Sequence, residues 1–304
     1  MLGLGLAASK AYAIFRPRED WAKIYNSIPR AGIDTRPFNA QGETPELIQG
    51  YIDRVNNAFG VLKKQIEQYR PDALIVLGAD RGEIFSEINF PTFYVFTGKE
   101  VPAVQGIPEI SDPVRGSIKI PCNGDLAEYL LKALVKKGFE ISFGQKFRSV
   151  GKSADSISHS MASLVPQLVP DLSIPIIPVF INSLFPPLPS ATRCFNLGTA
   201  ISETMNDVPG RYAILASGGL SYDPLGRWVD ERFDRWIIER LVSGKVEELK
   251  KLFHFDSEDM RGPTGEVRNW ITAAAACRRP AKIVDYIPAR VARTGLCFAY
   301  WAVE

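Results

Sequence analysis

Apolar runs and amphipathic stretches alternate along this chain. LGLGLAA (2–8), ALIVLGAD (73–80), IPIIPVFI (174–181) and the run at 211–217 read as short buried strands. Between the first two, TPELIQGYIDRVNNAFGVLKKQIEQYRPD predicts a long helix. Thr44 caps it, Pro45 takes the first helical position, and Leu47, Ile48, Tyr51, Ile52, Val55, Phe59, Leu62, Ile66 and Tyr69 recur at helical spacing up to Pro71. Residues 16–43, polar and broken by Pro and Gly, are expected to form a loop or lid. Further on come strand-like pieces at 90–97 and 117–120, a helix near 124–138 and a strand at 140–144. SISHSMASLVPQLV leads from loop into a helical turn. Helices are predicted over 190–206, over 226–253 as one or two segments, and over 264–277, the last opened by Thr264 as N-cap with Glu266 in its first turn. The stretch after 280 reads as loop and a final aromatic strand at an edge or interface. This alternation, without repeats or a linker, predicts one α/β domain over 1–304, a three-layer α/β/α arrangement around a mostly parallel or mixed sheet.

Composition narrows the function classes. A chain of 304 residues, 46% hydrophobic and 23% charged, is ordinary for a globular protein with a large core. A formal charge of +2 with no sustained Lys/Arg run argues against nucleic acid or an anionic membrane as partner. No run reaches the roughly 18–20 apolar residues of a membrane span. The four cysteines form no CxxC pair, which fits neither a zinc ribbon nor a disulfide framework, and a reducing, cytoplasmic compartment is the expectation.

Only two histidines exist, His159 and His254, so a site needing two must use both. His254, in KLFHFD, reads as a surface or helix-end residue. The glycines of GLGLG lie within a strand pattern and do not make a dinucleotide loop, and ASGGLS reads as a tight turn rather than a phosphate cradle. Ser9, Ser158 and Ser221 lack an evident base other than His159. In RWVDERFDRW, Trp228 and Trp236 fall on one helical face and suit packing.

Taken in order, GLAASKAYAIF, DALIVLGADRGEIF, SISHSMASLVP, IPIIPVFIN, LASGGLSYDPLGRWVDERFDRW and GPTGEVRNWITAAAA follow the sequence of segments of one family. The chain resembles, over nearly its whole length, the class III (LigB-type) extradiol dioxygenases. The resemblance implies an α/β/α fold and, in active members, Fe(II) held by two histidines and a glutamate with open positions for catecholate and O₂. Carried onto this sequence, the first histidine position is Lys10 in ASKA, the second is Arg81 in ADRG, and a further histidine position is Tyr222 in GGLSY. Glu266 in GEVRNW and His159 in ISHS are retained.

Lysine and arginine are poor hosts for Fe(II), because arginine offers no lone pair and lysine must first lose a proton. The expectation is therefore no cofactor and no metal ligands, with Fe(II) present only if the family activity survives. Lys10 and Arg81 supply positive charge where the ion would sit, so a Lys10–Glu266–Arg81 cluster is expected. It is either a silent salt bridge or a pocket for a small aromatic, phenolic or carboxylate ligand. In the second case His159, Tyr222 and Lys10 are the catalytic candidates, and Arg81, Glu266, Asp80 and Ser221 form the ligand-binding set, with Asp80 also a candidate to orient Arg81 or Lys10. Non-oxidative acid/base chemistry leads, as a lyase, hydrolase or decarboxylase. A non-catalytic subunit paired with an active homologue, and ring cleavage with unconventional iron ligation, stay open. The assembly expected is a homo-oligomer, or a hetero-oligomer with a homologous chain.

Overall fold

A computed structural model describes residues 1–27, 43–107, 112–148, 155–222, 229–252 and 263–302. Four strands run parallel through its centre: β1 (Leu2–Ala8), β2 (Ala73–Gly78), β7 (Ile176–Ile181) and β8 (Tyr212–Ser217). They sit in an eight-stranded sheet of order β6-β3-β7-β2-β8-β1-β10-β9, which also holds β3 (Phe93–Phe96), β6 (Ser142–Gly144), β9 (Lys282–Ala289) and β10 (Thr294–Ala302). β3 is antiparallel to β7, and β10 is antiparallel to both β1 and β9, so the sheet is mixed. Every residue of β1, β2, β7 and β8 is buried, which is why these strands read as continuous apolar runs.

The two-residue period of the strands divides the core. Ala7, Ala73, Ile75, Leu77, Ile214 and Ala216 face one layer, and Leu4, Leu6, Leu74, Val76 and Leu215 face the other. Helices α3 (Gly124–Lys136), α6 (Ala191–Asn206), α7 (Glu231–Val242) and α8 (Val267–Cys277) cover the first. Helices α1 (Arg18–Ser27), α2 (Pro45–Tyr69), α4 (His159–Ala162) and α5 (Leu164–Leu168) cover the second. Each fully buried Leu, Ile or Val contributes about 1.5–3 kcal/mol. The predicted three layers around one mixed sheet are thus present.

Local chemistry places the helix ends. Thr44 accepts from the Leu47 N–H and Pro45 opens α2, as the sequence predicts. Ser190 caps α6 through the Arg193 N–H, and Asp230 caps α7 through the Phe233 N–H. α6 and α8 pack closely because Gly198 has no side chain: a Cβ there would lie 2.0 Å from the Thr272 carbonyl oxygen.

Four expectations change. Part of the expected lid is α1, which buries Trp21, Ile24 and Tyr25; residues 28–42 lie outside the described residues, as do His254 and Trp228. The strand-like piece at 117–120 belongs to a separate hairpin of β4 (Glu100–Ile107) and β5 (Asp112–Pro121). The final strand β10 is internal, flanked by β1 and β9, and β9 is the sheet edge on that side. Thr264 is not the cap of α8: a 3-10 turn over Thr264–Glu266 precedes the helix, and Glu266 stands at its N-cap.

Candidate active site

The parallel strands β1, β2 and β8 end side by side, and their exits carry the polar residues, the usual place for a site in an α/β sheet. Lys10 follows β1, Arg81 and Glu83 follow β2, and Gly218 to Tyr222 follow β8. His159 opens α4, where the hydroxyls of Ser158 and Ser160 both donate to the Ala79 carbonyl, each at 3.0 Å. This double tether holds the histidine against the end of β2. Glu266 is brought in by α8, which is latched to the end of β8 by Asn269 donating to the Ser217 carbonyl and Trp270 Nε1 donating to the Gly218 carbonyl.

Six ionisable side chains meet there. Lys10 Nζ lies 2.9 Å from Glu266 Oε1 and 2.8 Å from His159 Nε2. Arg81 Nε lies 3.2 Å from the same Glu266 oxygen, and its Nη1 donates to the Tyr12 hydroxyl at 3.3 Å. Glu83 grips His159 twice, accepting from its backbone N–H at 2.8 Å and pairing with ring Nδ1. That pairing assigns the tautomer: Nδ1 carries the proton toward the carboxylate, and Nε2 presents its lone pair to Lys10.

Burial and neighbouring charge set the protonation states. Burial pushes the Lys10 ammonium down to about 8, with Glu266 opposing and Arg81 assisting. Burial pushes His159 down to about 4, with Glu83 opposing and Lys10 assisting, so the ring is neutral near pH 7. Burial disfavours the charge on Glu266, but Lys10 and Arg81 more than offset this and hold it below the usual carboxylate range. Glu83 behaves alike, its burial outweighed by its contacts with His159.

Around this cluster lies a pocket of about 510 Å³, its open mouth included. Lys10, Tyr12, Arg81, His159, Tyr222 and Glu266 form its polar lining, and Ile24, Val291 and Ala292 supply apolar wall. The Arg81 guanidinium sits 5.7 Å from the Tyr12 ring centre and 5.9 Å from that of Tyr222. Tyr222 is strapped in place by Thr264, whose hydroxyl accepts from its N–H at 3.0 Å and donates to its carbonyl at 3.3 Å. Gly218 is required where β8 leaves the sheet: its φ is +141°, and a Cβ would lie 2.9 Å from Glu266 Cβ and Oε2.

The structure thus brings Lys10, Arg81, His159, Tyr222 and Glu266 together. Asp80 and Ser221, expected to touch ligand, do not line the pocket. The Asp80 carboxylate accepts from the N–H groups of Gly82, Ile84 and Phe85, and shapes the turn that presents Arg81. Ser221 is bound to the buried Asp234 through both its N–H and its hydroxyl. Ser9 accepts from the Cys297 N–H, so neither it, Ser158 nor Ser221 is posed as a nucleophile. Tyr12 and Glu83, absent from the expected set, belong to the site; each stands two residues beyond a predicted site residue, Lys10 and Arg81 respectively. Among the described residues, no group of three or more His, Cys, Asp or Glu converges to hold a metal ion.

Comparison with known proteins adds the family context. Residues 39–288 match the LigB family, described as the catalytic LigB subunit of aromatic ring-opening dioxygenase. A 2,3-dihydroxyphenylpropionate/2,3-dihydroxicinnamic acid 1,2-dioxygenase of Mycobacterium sp. (strain MCS) is 29% identical over 188 residues, 62% of this chain and 54% of that one. An enzyme of the same name from Photorhabdus laumondii is 29% identical over 189 residues, with the same shares. The chain thus aligns with about half the length of these relatives. A solved structure, the uncharacterized protein JW3007 from Escherichia coli K12, superposes with a TM-score of 0.52 at 14% identity, covering 98% of this chain and 99% of the other.

Proposed function

The chain belongs to the LigB family, and from that premise we propose that its pocket serves metal-independent, non-oxidative acid/base chemistry on a small aromatic or phenolic acid. The observation that carries this reading is that Lys10 and Arg81 both contact one oxygen of Glu266. These stand where the resemblance places two histidine ligands and the glutamate. Fe(II) does not fit this donor set, since one partner has no lone pair to give, the other is an ammonium, and the carboxylate is already engaged by both. The cations instead suit an anionic ligand.

The rest of the lining supports an aromatic acid. Arg81 lies near two tyrosine rings, so a carboxylate on the guanidinium brings its ring beside aromatic and apolar walls. The named relatives act on dihydroxyphenyl-substituted acids, a class with the same pairing of ring and carboxylate. Within the pocket, neutral His159 is the general base, oriented by Glu83, and the Tyr222 phenol is the proton donor.

The test combines metal analysis of anaerobically purified protein with thermal shift on benzoate and 4-hydroxybenzoate. Sub-stoichiometric iron is expected, with saturable stabilisation of about 2.7 kcal/mol at a hundredfold excess over Kd. Stoichiometric iron together with oxygen uptake on protocatechuate or gallate would overturn the proposal. Co-purification with an iron-bearing homologue, without benzoate binding, would favour a non-catalytic subunit instead.

A further inference from the structure

Two cations share one oxygen of Glu266, and only one of them can release a proton. Arg81 stays protonated over any working pH, so a proton leaving this cluster leaves from Lys10 Nζ. Its acceptor is already in place, because His159 Nε2 lies 2.8 Å from Nζ and the other ring nitrogen is engaged by Glu83. Loss of that proton does not strand a buried charge, since Glu266 keeps Arg81 as its partner. The result is an unprotonated primary amine lining an open pocket with apolar walls and a fixed guanidinium.

We propose that Lys10 is a covalent nucleophile that forms a Schiff base with the carbonyl of a small 2-oxo acid carrying an aromatic or apolar substituent, with Arg81 taking the carboxylate. This inference rests on the acid/base reading of the pocket and adds a covalent step to it. Lys10 passes a proton to His159 Nε2, and the Nζ lone pair forms a bond to the carbonyl carbon while the C=O π pair moves to oxygen. His159 returns the proton to that oxygen; after a second proton moves from nitrogen to oxygen, the C–O bond breaks and water leaves. The nitrogen lone pair closes the C=N bond. In sum, an ammonium and a ketone give an iminium and water, so charge balances and no oxidant or reductant is consumed. Glu266 then stands beside the iminium as its counter-ion. The lowering of Lys10 to about 8 by burial agrees with this role.

The experiment incubates the full chain with benzoylformate, or with pyruvate, in the presence of cyanoborohydride, followed by intact mass and peptide mapping. Benzoate thermal shift runs in parallel. The expected result is one reduced adduct per chain, on Lys10, suppressed by excess benzoate. His159→Asn should form it about a hundredfold more slowly, the ordinary size of a general-base contribution. Lys10→Arg, which keeps the charge, should form none. Benzoate stabilisation without an adduct on Lys10 would overturn the covalent inference and leave the acid-binding reading intact. Absence of both would overturn both, and equal labelling of wild type and Lys10→Arg would mark surface chemistry and overturn the covalent inference.

Discussion

Lys10 Nζ and Glu266 Oε1 lie 2.9 Å apart with side chains only 4% and 1% exposed. An ion pair this deep is held by the geometry around it, because taking two charges out of water costs more than a surface pair returns. Here the carboxylate has a second cation, Arg81, and the ammonium has a second acceptor, His159. Each charge has a partner beyond the other, which makes the cluster tolerant of a proton leaving it.

Removing the shared carboxylate tests that arrangement. Glu266→Gln leaves two cations without their counter-ion and is expected to destabilise the fold by about 3–5 kcal/mol at pH 7 in urea denaturation. The loss should be smaller at pH 9, where Lys10 is largely neutral.

Anion affinity should follow Lys10. With the ammonium at about 8, benzoate binding is expected to be flat between pH 6 and 7 and to weaken as pH rises through 8, with Arg81 retaining a residual affinity. Calorimetric titration across that range measures it, and a flat profile to pH 10 would contradict the assignment.

Acid stability should follow His159. Its folded value of about 4 lies below its ordinary 6.5, so the unfolded chain binds the proton more readily between those values. The His159 contribution to stability is therefore fully present above about pH 6.5 and is lost as pH falls toward 4, by about 3 kcal/mol. Asp80 and Asp234, raised by burial to about 7 and about 6, act in the opposite direction over the same range. Glu83, also held low, adds loss in the same direction as His159 at lower pH. The difference in denaturation midpoint between wild type and His159→Asn isolates the histidine contribution and should change in the variant's favour as pH falls from 6.5 to 4.

Glu83→Gln separates orientation from binding. The amide no longer supplies the charge that fixes Nδ1–H, so the rate of any His159-dependent step should fall by about 10²–10⁴. Benzoate affinity should stay within a fewfold of wild type, since Lys10 and Arg81 are untouched. A parallel loss of affinity would assign Glu83 to packing alone.

Gly218→Ala tests the strand exit. The added methyl meets Glu266 at 2.9 Å on a backbone with φ of +141°. Destabilisation of about 1–3 kcal/mol is expected, accompanied by loss of benzoate binding as the carboxylate is pushed from its two cations. Gly138→Ala, also at positive φ (+82°) but with nothing within 4 Å of its Cβ, should strain the backbone and leave benzoate binding unchanged.

The sequence by itself determined the strands that are buried on both faces, since residues such as Leu74–Leu77 and Ile176–Ile181 have no polar side to show. It determined α2, whose cap and apolar stripe are local, and it placed Lys10, Arg81, His159, Tyr222 and Glu266 in one pocket through family resemblance. It did not reveal α1, whose apolar residues Trp21, Ile24 and Tyr25 are few within a polar stretch, or the internal position of β10, which depends on strand order rather than on its own residues. Only the tertiary structure decided which polar groups face the pocket. Asp80 and Ser221 neighbour site residues in the chain yet turn to backbone N–H groups and to Asp234, while Tyr12 lines the pocket and Glu83 stands behind His159. That choice comes from where the exits of β1, β2 and β8 converge, because an unpaired buried carboxylate must find its donors there, and those donors come from elements far apart in sequence.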